Sequence, residues 1–316
     1  MTRPVVLDTD MGSDVDDALC LALALAAPEI EVVATTHVGR EAALRAQISR
    51  KLLKLAGRDQ IPVYAGCRVP VLGGDRFNWF GHEGDGILEP GEEPTVEDEH
   101  AVDALLRLSH AHPDLEVVAI GPLTNLAVAL MKDPDLAGRV SRLTLMGGHL
   151  RKVEYGGHVF PPGVDYNLCS DPHASLLVLR SGIPTRLVTA DVTLRVWLGQ
   201  SDLSLIEERG TPLHDALASA IRTWTPVQNR LFSSAGAGMV EDNVAFLHDP
   251  LALTAVYDET FCKFEELEIE PAIEPEDLFR TLERPEPTDR SLPMRCAVDV
   301  EPARFKDHFM ERVLGL

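Results

Sequence analysis

One stretch near the start of the chain decides which fold to expect: Pro4-Val5-Val6-Leu7-Asp8-Thr9-Asp10-Met11-Gly12-Ser13-Asp14-Val15-Asp16-Asp17. Its β-branched beginning, its glycine-containing turn and the apolar run that follows from Ala18 predict a strand, a turn and a helix. Five carboxylates fall within ten residues of this stretch. Such closely packed like charges raise one another's pKa values unless a cation or several hydrogen-bond donors offset them. A bound divalent metal ion would do so most simply.

The composition narrows the choice of partners. The 316 residues carry 29 Lys and Arg against 50 Asp and Glu, a formal net charge of −21. A chain this acidic is poorly suited to a nucleic-acid backbone or an anionic membrane surface, so the expected partner is a small molecule. The five cysteines include no Cys-x-x-Cys pair, which argues against a zinc site or a redox disulfide. The longest apolar run, residues 18–27, is too short to cross a bilayer, and we expect a soluble, cytoplasmic protein.

Short β-branched runs alternate with longer helical patterns along the chain. The predicted strands are 5–7, 31–36, 61–64, 116–120, 142–146, 185–188 and 294–300, and the predicted helices are 17–27, 41–55, 99–110, 123–132, 172–181, 201–209 and 212–234. This alternation predicts an α/β fold with an open, mostly parallel, Rossmann-like sheet flanked by helices. We expect one domain over residues 1–316, with a less regular portion from about residue 260.

Polar residues follow several of the predicted strands. Gly121 to Asn125 comes after one strand, Gly147 to His149 after the next, and Asp165 to Asn167 at the end of the loop beyond. Right-handed crossovers place the carboxyl ends of parallel strands along one edge of the sheet, where ligands bind. Two loops, 65–98 and 147–170, are long for a compact domain and are therefore expected to be functional or disordered. The first contains the aromatic residues of Phe77 to Phe80, which suggest a pocket wall.

Most of these residues also have an ordinary structural explanation. Helix capping or helix-dipole interactions would account for Ser13, Asp14, Asp16, Asp17, Thr124 and Asp171, and His248 could be a half-buried histidine. Asp8 and Asp10 are different, because a spacing of two puts both on one side of a strand end. An EF-hand is excluded, since a strand precedes the acids and no Glu stands at the twelfth loop position.

Taken in order, the motifs resemble the inosine-uridine-preferring nucleoside hydrolase family. They are Asp8-Thr9-Asp10-x-Gly12 with Asp16-Asp17-Ala18, then Ala119 to Leu126, Leu145 to Gly148, Asp165 to Asn167 and Leu247 to Pro250. The resemblance implies an open α/β nucleoside hydrolase fold and one tightly held Ca²⁺ ion at the strand ends. It also implies hydrolysis of the N-glycosidic bond of ribonucleosides to free base and ribose, by a homodimer or a homotetramer.

The resemblance also assigns roles to individual residues. The metal ligands would be the side chains of Asp10, Asp17 and Asp249 and the backbone carbonyl of Thr124, with Asp14 as a possible further ligand. Asp10 would also be the general base that takes a proton from a metal-bound water as it attacks C1′ of the ribose. Substrate would be bound by Asp16, Asp165, Asn167, Met146 and His82. His248 would protonate the departing base, and Phe77 to Phe80 with Trp224 would close over it.

Two departures from the family pattern leave alternatives open. Asp14-Val15 is an inserted pair, so either Asp16 or Asp14 takes the role assigned to Asp16. Gly39-Arg40 stands where the family commonly has Gly-Asn, so Arg40 either turns away or indicates a substrate with an anionic group. Two other functions fit part of the pattern: a Mg²⁺-dependent phosphohydrolase of the haloacid dehalogenase type, and a metal-holding protein that binds nucleosides without turnover.

Overall fold

A computed structural model describes residues 2–74, 81–163, 165–238, 240 and 242–316. Thirteen strands are found in these residues: β1 (Arg3–Thr9), β2 (Ile30–His37), β3 (Val63–Ala65), β4 (Glu116–Ala119), β5 (Arg142–Met146), β6 (Val153–Tyr155), β7 (His158–Phe160), β8 (Thr185–Val188), β9 (Trp197–Gly199), β10 (Asn243–Phe246), β11 (Cys262–Glu274), β12 (Leu278–Arg284) and β13 (Leu292–Val300). The aromatic residues Phe77 to Phe80 lie outside the described part of the chain.

Twelve α-helices connect or flank the described strands: α1 (Asp16–Ala26), α2 (Ala42–Leu55), α3 (Ala101–Ala111), α4 (Thr124–Lys132), α5 (Leu136–Arg139), α6 (Tyr166–Ser170), α7 (Pro172–Leu179), α8 (Ala190–Thr193), α9 (Gln200–Glu208), α10 (Pro212–Ser234), α11 (His248–Thr254) and α12 (Pro302–Leu314). Within the described residues, none of these helices is both long and apolar enough to cross a membrane.

Nine strands form one central sheet in the order β12-β11-β13-β8-β5-β4-β1-β2-β3. The seven strands from β13 to β3 pair in parallel, and β11 is antiparallel to both of its neighbours. β1 lies inside this sheet and is buried along its last five residues, which explains the apolar run from Val5 to Leu7. The predicted α/β fold with an open, mostly parallel sheet is confirmed.

Each face of the sheet is covered by its own apolar core. Leu19 and Leu23 of α1 pack on one face with side chains of α10, α11 and α12. Leu105 of α3, Leu126 of α4 and Val178 of α7 pack on the other. Since both faces are closed, the carboxyl edge of the parallel strands is the place where polar side chains can meet a ligand.

The expectation of a less regular portion from about residue 260 is wrong. Residues 262–300 instead form β11, β12 and β13, which extend the sheet, and α12 follows them. β11 escaped the sequence analysis because charged residues occupy most of its first half, Lys263 to Glu268, where its side chains are only partly buried. A solvated strand of this kind has the composition of a surface loop.

Candidate active site

A cavity of about 370 Å³ opens at the carboxyl edge of the sheet. Its polar side is lined by Asp10, Asp14, Asp16, Asp17 and Asp249, and its apolar side by Phe160, Trp224, Phe232 and Phe246. The acids come from the turn after β1, the start of α1 and the start of α11. The sheet topology therefore brings together carboxylates that are more than 230 positions apart in the sequence.

Three of these carboxylates are especially close. Oxygen atoms of Asp16, Asp17 and Asp249 all lie within 4.8 Å of one another, and all three side chains are buried. Burial raises the pKa of each carboxyl well above its usual range, and repulsion from neighbouring carboxylates raises it further. The backbone N–H of Asp249 donates to Asp16 Oδ2 at 3.3 Å, and Thr9 Oγ1 donates to Asp17 Oδ1. These two neutral donors are too few to offset three negative charges. The cluster could hold a metal ion.

Asp8 is held behind the cavity. Its Oδ1 accepts hydrogen bonds from Thr36 Oγ1 at 2.6 Å and from Asn125 Nδ2 at 2.8 Å. Burial raises the pKa of Asp8 to about 6. The same Asn125 amide donates to the His37 carbonyl at 3.1 Å. Asp8 thus ties the ends of β1 and β2 to the start of α4 and does not line the cavity.

Asp10 faces the other way, into the cavity. Its Oδ2 is buried without a hydrogen-bond partner in the structure, an arrangement that is costly unless a ligand or cation completes it. Burial raises the pKa of Asp10. Gly121 at the end of β4 lies against it, because a Cβ on Gly121 would come within 2.8 Å of both Asp10 N and Asp10 Oδ1. Only glycine lets β4 approach this carboxylate so closely.

Asn167, Met146 and Asp165 form a second polar group in the cavity wall. Asn167 Nδ2 donates to the carbonyls of Ile120 at 3.2 Å and Met146 at 3.0 Å, which leaves its amide oxygen as an acceptor for a ligand. Asp165 caps α6 by accepting from Leu168 N at 3.0 Å. Burial raises the pKa of Asp165 to about 6. All three residues line the cavity.

His248 lines the cavity on the side where Phe246 lies. Its ring stacks on Phe246 at 5.0 Å between centroids. Thr193 Oγ1 is 2.6 Å from Nδ1, so Nε2 remains for a ligand. Burial lowers the pKa of His248 to about 4. The imidazole is therefore neutral at pH 7, and any proton it donates comes from a neutral ring.

Four other residues that were singled out in the sequence have side chains that do not line the cavity: Thr124, Asp171, His82 and Arg40. Thr124 donates its hydroxyl to Asp171 Oδ2 at 2.8 Å. His82 is outside the cavity lining, with Nε2 3.1 Å from the Ser13 carbonyl and its ring 5.5 Å from that of Trp224. Arg40 is exposed and does not line the cavity, which favours the alternative that it turns away from the substrate.

Asp14 keeps a role within the turn and at the cavity. Its Oδ1 accepts from the backbone N–H groups of Val15 at 2.5 Å and Asp16 at 3.4 Å. These are the groups that a helix N-terminus leaves without partners. Asp14 therefore supports the start of α1 while it also lines the cavity.

Several cavity residues were not assigned from the sequence. Tyr166 lies beside Asp10, its hydroxyl 3.4 Å from Ser13 Oγ. Its position between Asp165 and Asn167 could have assigned Tyr166 to the cavity from the sequence alone. Phe232 on α10 and Phe246 on β10 pack at 5.1 Å between ring centroids. Nothing in their local sequence marks them, because only the tertiary fold brings them to the acids.

Comparison with known proteins identifies the family. The profile described as inosine-uridine preferring nucleoside hydrolase matches residues 5–307. The chain belongs to this family. As a nucleoside hydrolase it is an enzyme that acts on N-glycosyl bonds, and the phosphohydrolase alternative is wrong.

Individual nucleoside hydrolases resemble the chain over most of its length. The pyrimidine-specific ribonucleoside hydrolase RihA of Photobacterium profundum is 31% identical over 229 residues, which are 70% of this chain and 71% of that protein. The structure of a plant nucleoside hydrolase has a TM-score of 0.85 at 26% identity and covers 100% of both chains. A purine-preferring ribonucleoside hydrolase from Gardnerella vaginalis has a TM-score of 0.83 at 27% identity, covering 99% of this chain and 98% of its own.

The scaffold behind the acids gives this nucleoside hydrolase a pH-dependent stability. Burial lowers the pKa of His37 to about 3, and its Nε2 is 2.7 Å from Ser49 Oγ. Between pH 6.5 and 3 the unfolded chain binds a proton at His37 that the folded chain does not. This contribution is therefore complete above pH 6.5 and is lost as the pH falls, by about 1.4 kcal/mol per pH unit.

We expect His37→Gln to remove that slope. Urea unfolding of the variant between pH 4.5 and 6.5 should show a free energy of unfolding that rises less steeply with pH than in the unaltered protein, by about 1.4 kcal/mol per unit. His110→Gln, on the exposed side of α3, controls for loss of an imidazole. Identical slopes in His37→Gln and the unaltered protein would contradict this assignment.

Proposed function

We propose that the protein is a Ca²⁺-dependent hydrolase of the N-glycosidic bond of ribonucleosides, releasing free base and ribose. The observation that carries the proposal is the set of buried carboxylates around one cavity, Asp10, Asp16, Asp17 and Asp249. Carboxylate oxygens are hard donors, and a site with several protein oxygens suits Ca²⁺ better than Mg²⁺, which retains more of its water. The orphaned Asp10 Oδ2 is a donor atom that such an ion would use.

The residues that would hold the ion are Asp10, Asp17 and Asp249, with the carbonyl of Thr124. When bound, the cation supplies positive charge that acidifies the attacking water and orients the ribose. Asp10 accepts the proton that this water loses, since its carboxylate faces the cavity beside the ion's ligands. Asp14 also lines the cavity, and its position allows it to replace one of these carboxylate ligands.

The polar residues around the acids bind the ribose. Asp16 and Asp165 accept hydrogen bonds from ribose hydroxyls, and the free Asn167 oxygen accepts another. Departure of the base leaves an oxocarbenium-like ribosyl group, and carboxylates around the ring stabilise its positive charge. Because water attacks directly, the configuration at C1′ inverts.

The nucleobase occupies the apolar side of the cavity. Phe160, Phe232 and Phe246 offer ring faces and edges to a flat heterocycle and exclude water from the bond that breaks. His248 Nε2 donates a hydrogen bond to the departing base, with Thr193 fixing the ring through Nδ1. Trp224 and His82 close the side near the acidic turn.

The cytoplasmic location and the homodimeric or homotetrameric assembly stay predictions.

The direct test combines metal analysis with an assay for free ribose on a panel of purine and pyrimidine nucleosides. We expect one equivalent of Ca²⁺ per chain and ribose release from at least one nucleoside, abolished by chelation and restored by CaCl₂. Bound Ca²⁺ without ribose from any nucleoside would contradict hydrolysis and favour a protein that binds nucleosides without turnover.

Asp10→Asn tests the proposed base. The amide cannot take a proton from water, so kcat at saturating CaCl₂ should fall by about 10²–10⁴-fold. Asp85→Asn, an exposed acid on the loop near the acidic turn, is the matched control and should keep its kcat. Full turnover by Asp10→Asn would rule out Asp10 as the base.

A further inference from the structure

Arg45 is a buried cation directly beneath the acidic turn. It stands on α2 with only 4% of its surface exposed. Its Nη1 donates to the Asp10 carbonyl, to the Met11 carbonyl at 3.2 Å and to Ser13 Oγ at 2.7 Å. One guanidinium nitrogen thus touches three positions of the turn that carries Asp10, one of the proposed Ca²⁺ ligands.

The surrounding backbone leaves space for this contact. Gly39 has a φ of +96°, and a Cβ there would lie 3.6 Å from Arg45 Nε. Gly12 in the turn has a φ of +90°, and a Cβ there would come within 3.1 Å of Ile48 Cδ1 on α2. Both positions favour glycine through their positive φ. The turn therefore rests on α2 with the guanidinium between them.

A buried acid holds the guanidinium from the other side. Glu83 Oε1 is 3.6 Å from Arg45 Nη2, and the two side chains are 3% and 5% exposed. The adjacent His82 is 3.1 Å from the Ser13 carbonyl through Nε2. The Arg45–Glu83 pair is neutral as a whole, so it adds little net charge to the acidic cluster while it fixes the backbone of the turn.

We propose that Arg45 is a positioning residue for the cation site, acting through the backbone of residues 10–13. The inference rests on the proposed function, since it concerns the ion that function requires. The planar guanidinium contacts the turn through Nη1 and Glu83 through Nη2 at the same time, and the single nitrogen of a lysine ammonium cannot reproduce that fork. Partners that orient metal ligands without touching the metal commonly change its affinity by about 10–100-fold when removed.

The direction of the effect distinguishes positioning from simple electrostatics. Removing a positive charge from the vicinity of a Ca²⁺ site strengthens binding of the ion if Coulomb repulsion is all that changes. Loss of the support under the turn weakens binding, because the carboxylates of Asp10 and Asp14 no longer keep their directions. The two roles of Arg45 therefore predict shifts of opposite sign in the dissociation constant for Ca²⁺.

The test is calorimetric titration of the metal-free, full-length protein with CaCl₂. Arg45→Met should bind Ca²⁺ at least about 10-fold more weakly than the unaltered protein. Arg45→Lys keeps the charge but not the fork, and its affinity should also fall. Arg50→Met is the matched control, because Arg50 stands on the same helix and pairs with Glu97 at 2.9 Å but does not contact the turn. Its affinity for Ca²⁺ should be unchanged.

Circular dichroism identifies the variants that fold. If Arg45→Met does not fold, the Ca²⁺ affinity of Arg45→Lys tests the inference. An affinity equal to or tighter than that of the unaltered protein in a folded Arg45 variant would overturn the inference. An equal loss in Arg50→Met would do the same, since the effect would then be one of general stability. Failure of the unaltered protein to bind Ca²⁺ would instead overturn the proposed function, and this inference with it.

Discussion

Electrostatic repulsion among buried carboxylates is the constraint on which the site depends. Oxygen atoms of Asp16, Asp17 and Asp249 are brought to within 4.8 Å of one another, and repulsion from neighbouring carboxylates raises the pKa of each carboxyl. Charges buried this way are costly unless they are paired or bind a metal. The fold nevertheless holds them there, in an arrangement that a bound cation would complete.

The rest of the structure can be understood as support for that cluster. The sheet brings β1, β4 and the start of α11 to one edge, and the Asp8–Asn125–Thr36 hydrogen bonds lock the strand ends together. Arg45 fixes the backbone of the turn. The polar wall at Asn167 and the aromatic wall at Phe232 and Phe246 then define opposite sides of one cavity. A ribose and a flat base require these two surfaces.

Much of this arrangement was predictable from the sequence, because its signals are local. The strand, turn and helix at residues 4–27 have their own periodicity and capping pattern. The bounds of β5, β8 and α10 agree with the sequence prediction. Motifs placed after successive strands could be assigned to one edge, since parallel sheets put all their carboxyl ends together.

The remaining features depend on contacts between distant segments. Phe232, Phe246 and Trp224 belong to stretches that are ordinary core by composition, and only packing brings them to the acids. Arg45 sits in an amphipathic helix where an arginine usually faces solvent, so nothing in its local pattern predicts a buried guanidinium. β11 was missed because its charged half resembles a loop. Asp14 remained ambiguous because an inserted pair changes the spacing on which its assignment depended.

The most direct test of the central claim is an anomalous difference map from crystals of the full-length protein grown with CaCl₂. We expect a single strong peak at the carboxylates of Asp10, Asp17 and Asp249, with ligand distances of about 2.3–2.6 Å. Carboxylates that keep the same close arrangement with no peak among them would contradict it, because the cluster would then be stable without the cation on which the whole interpretation depends.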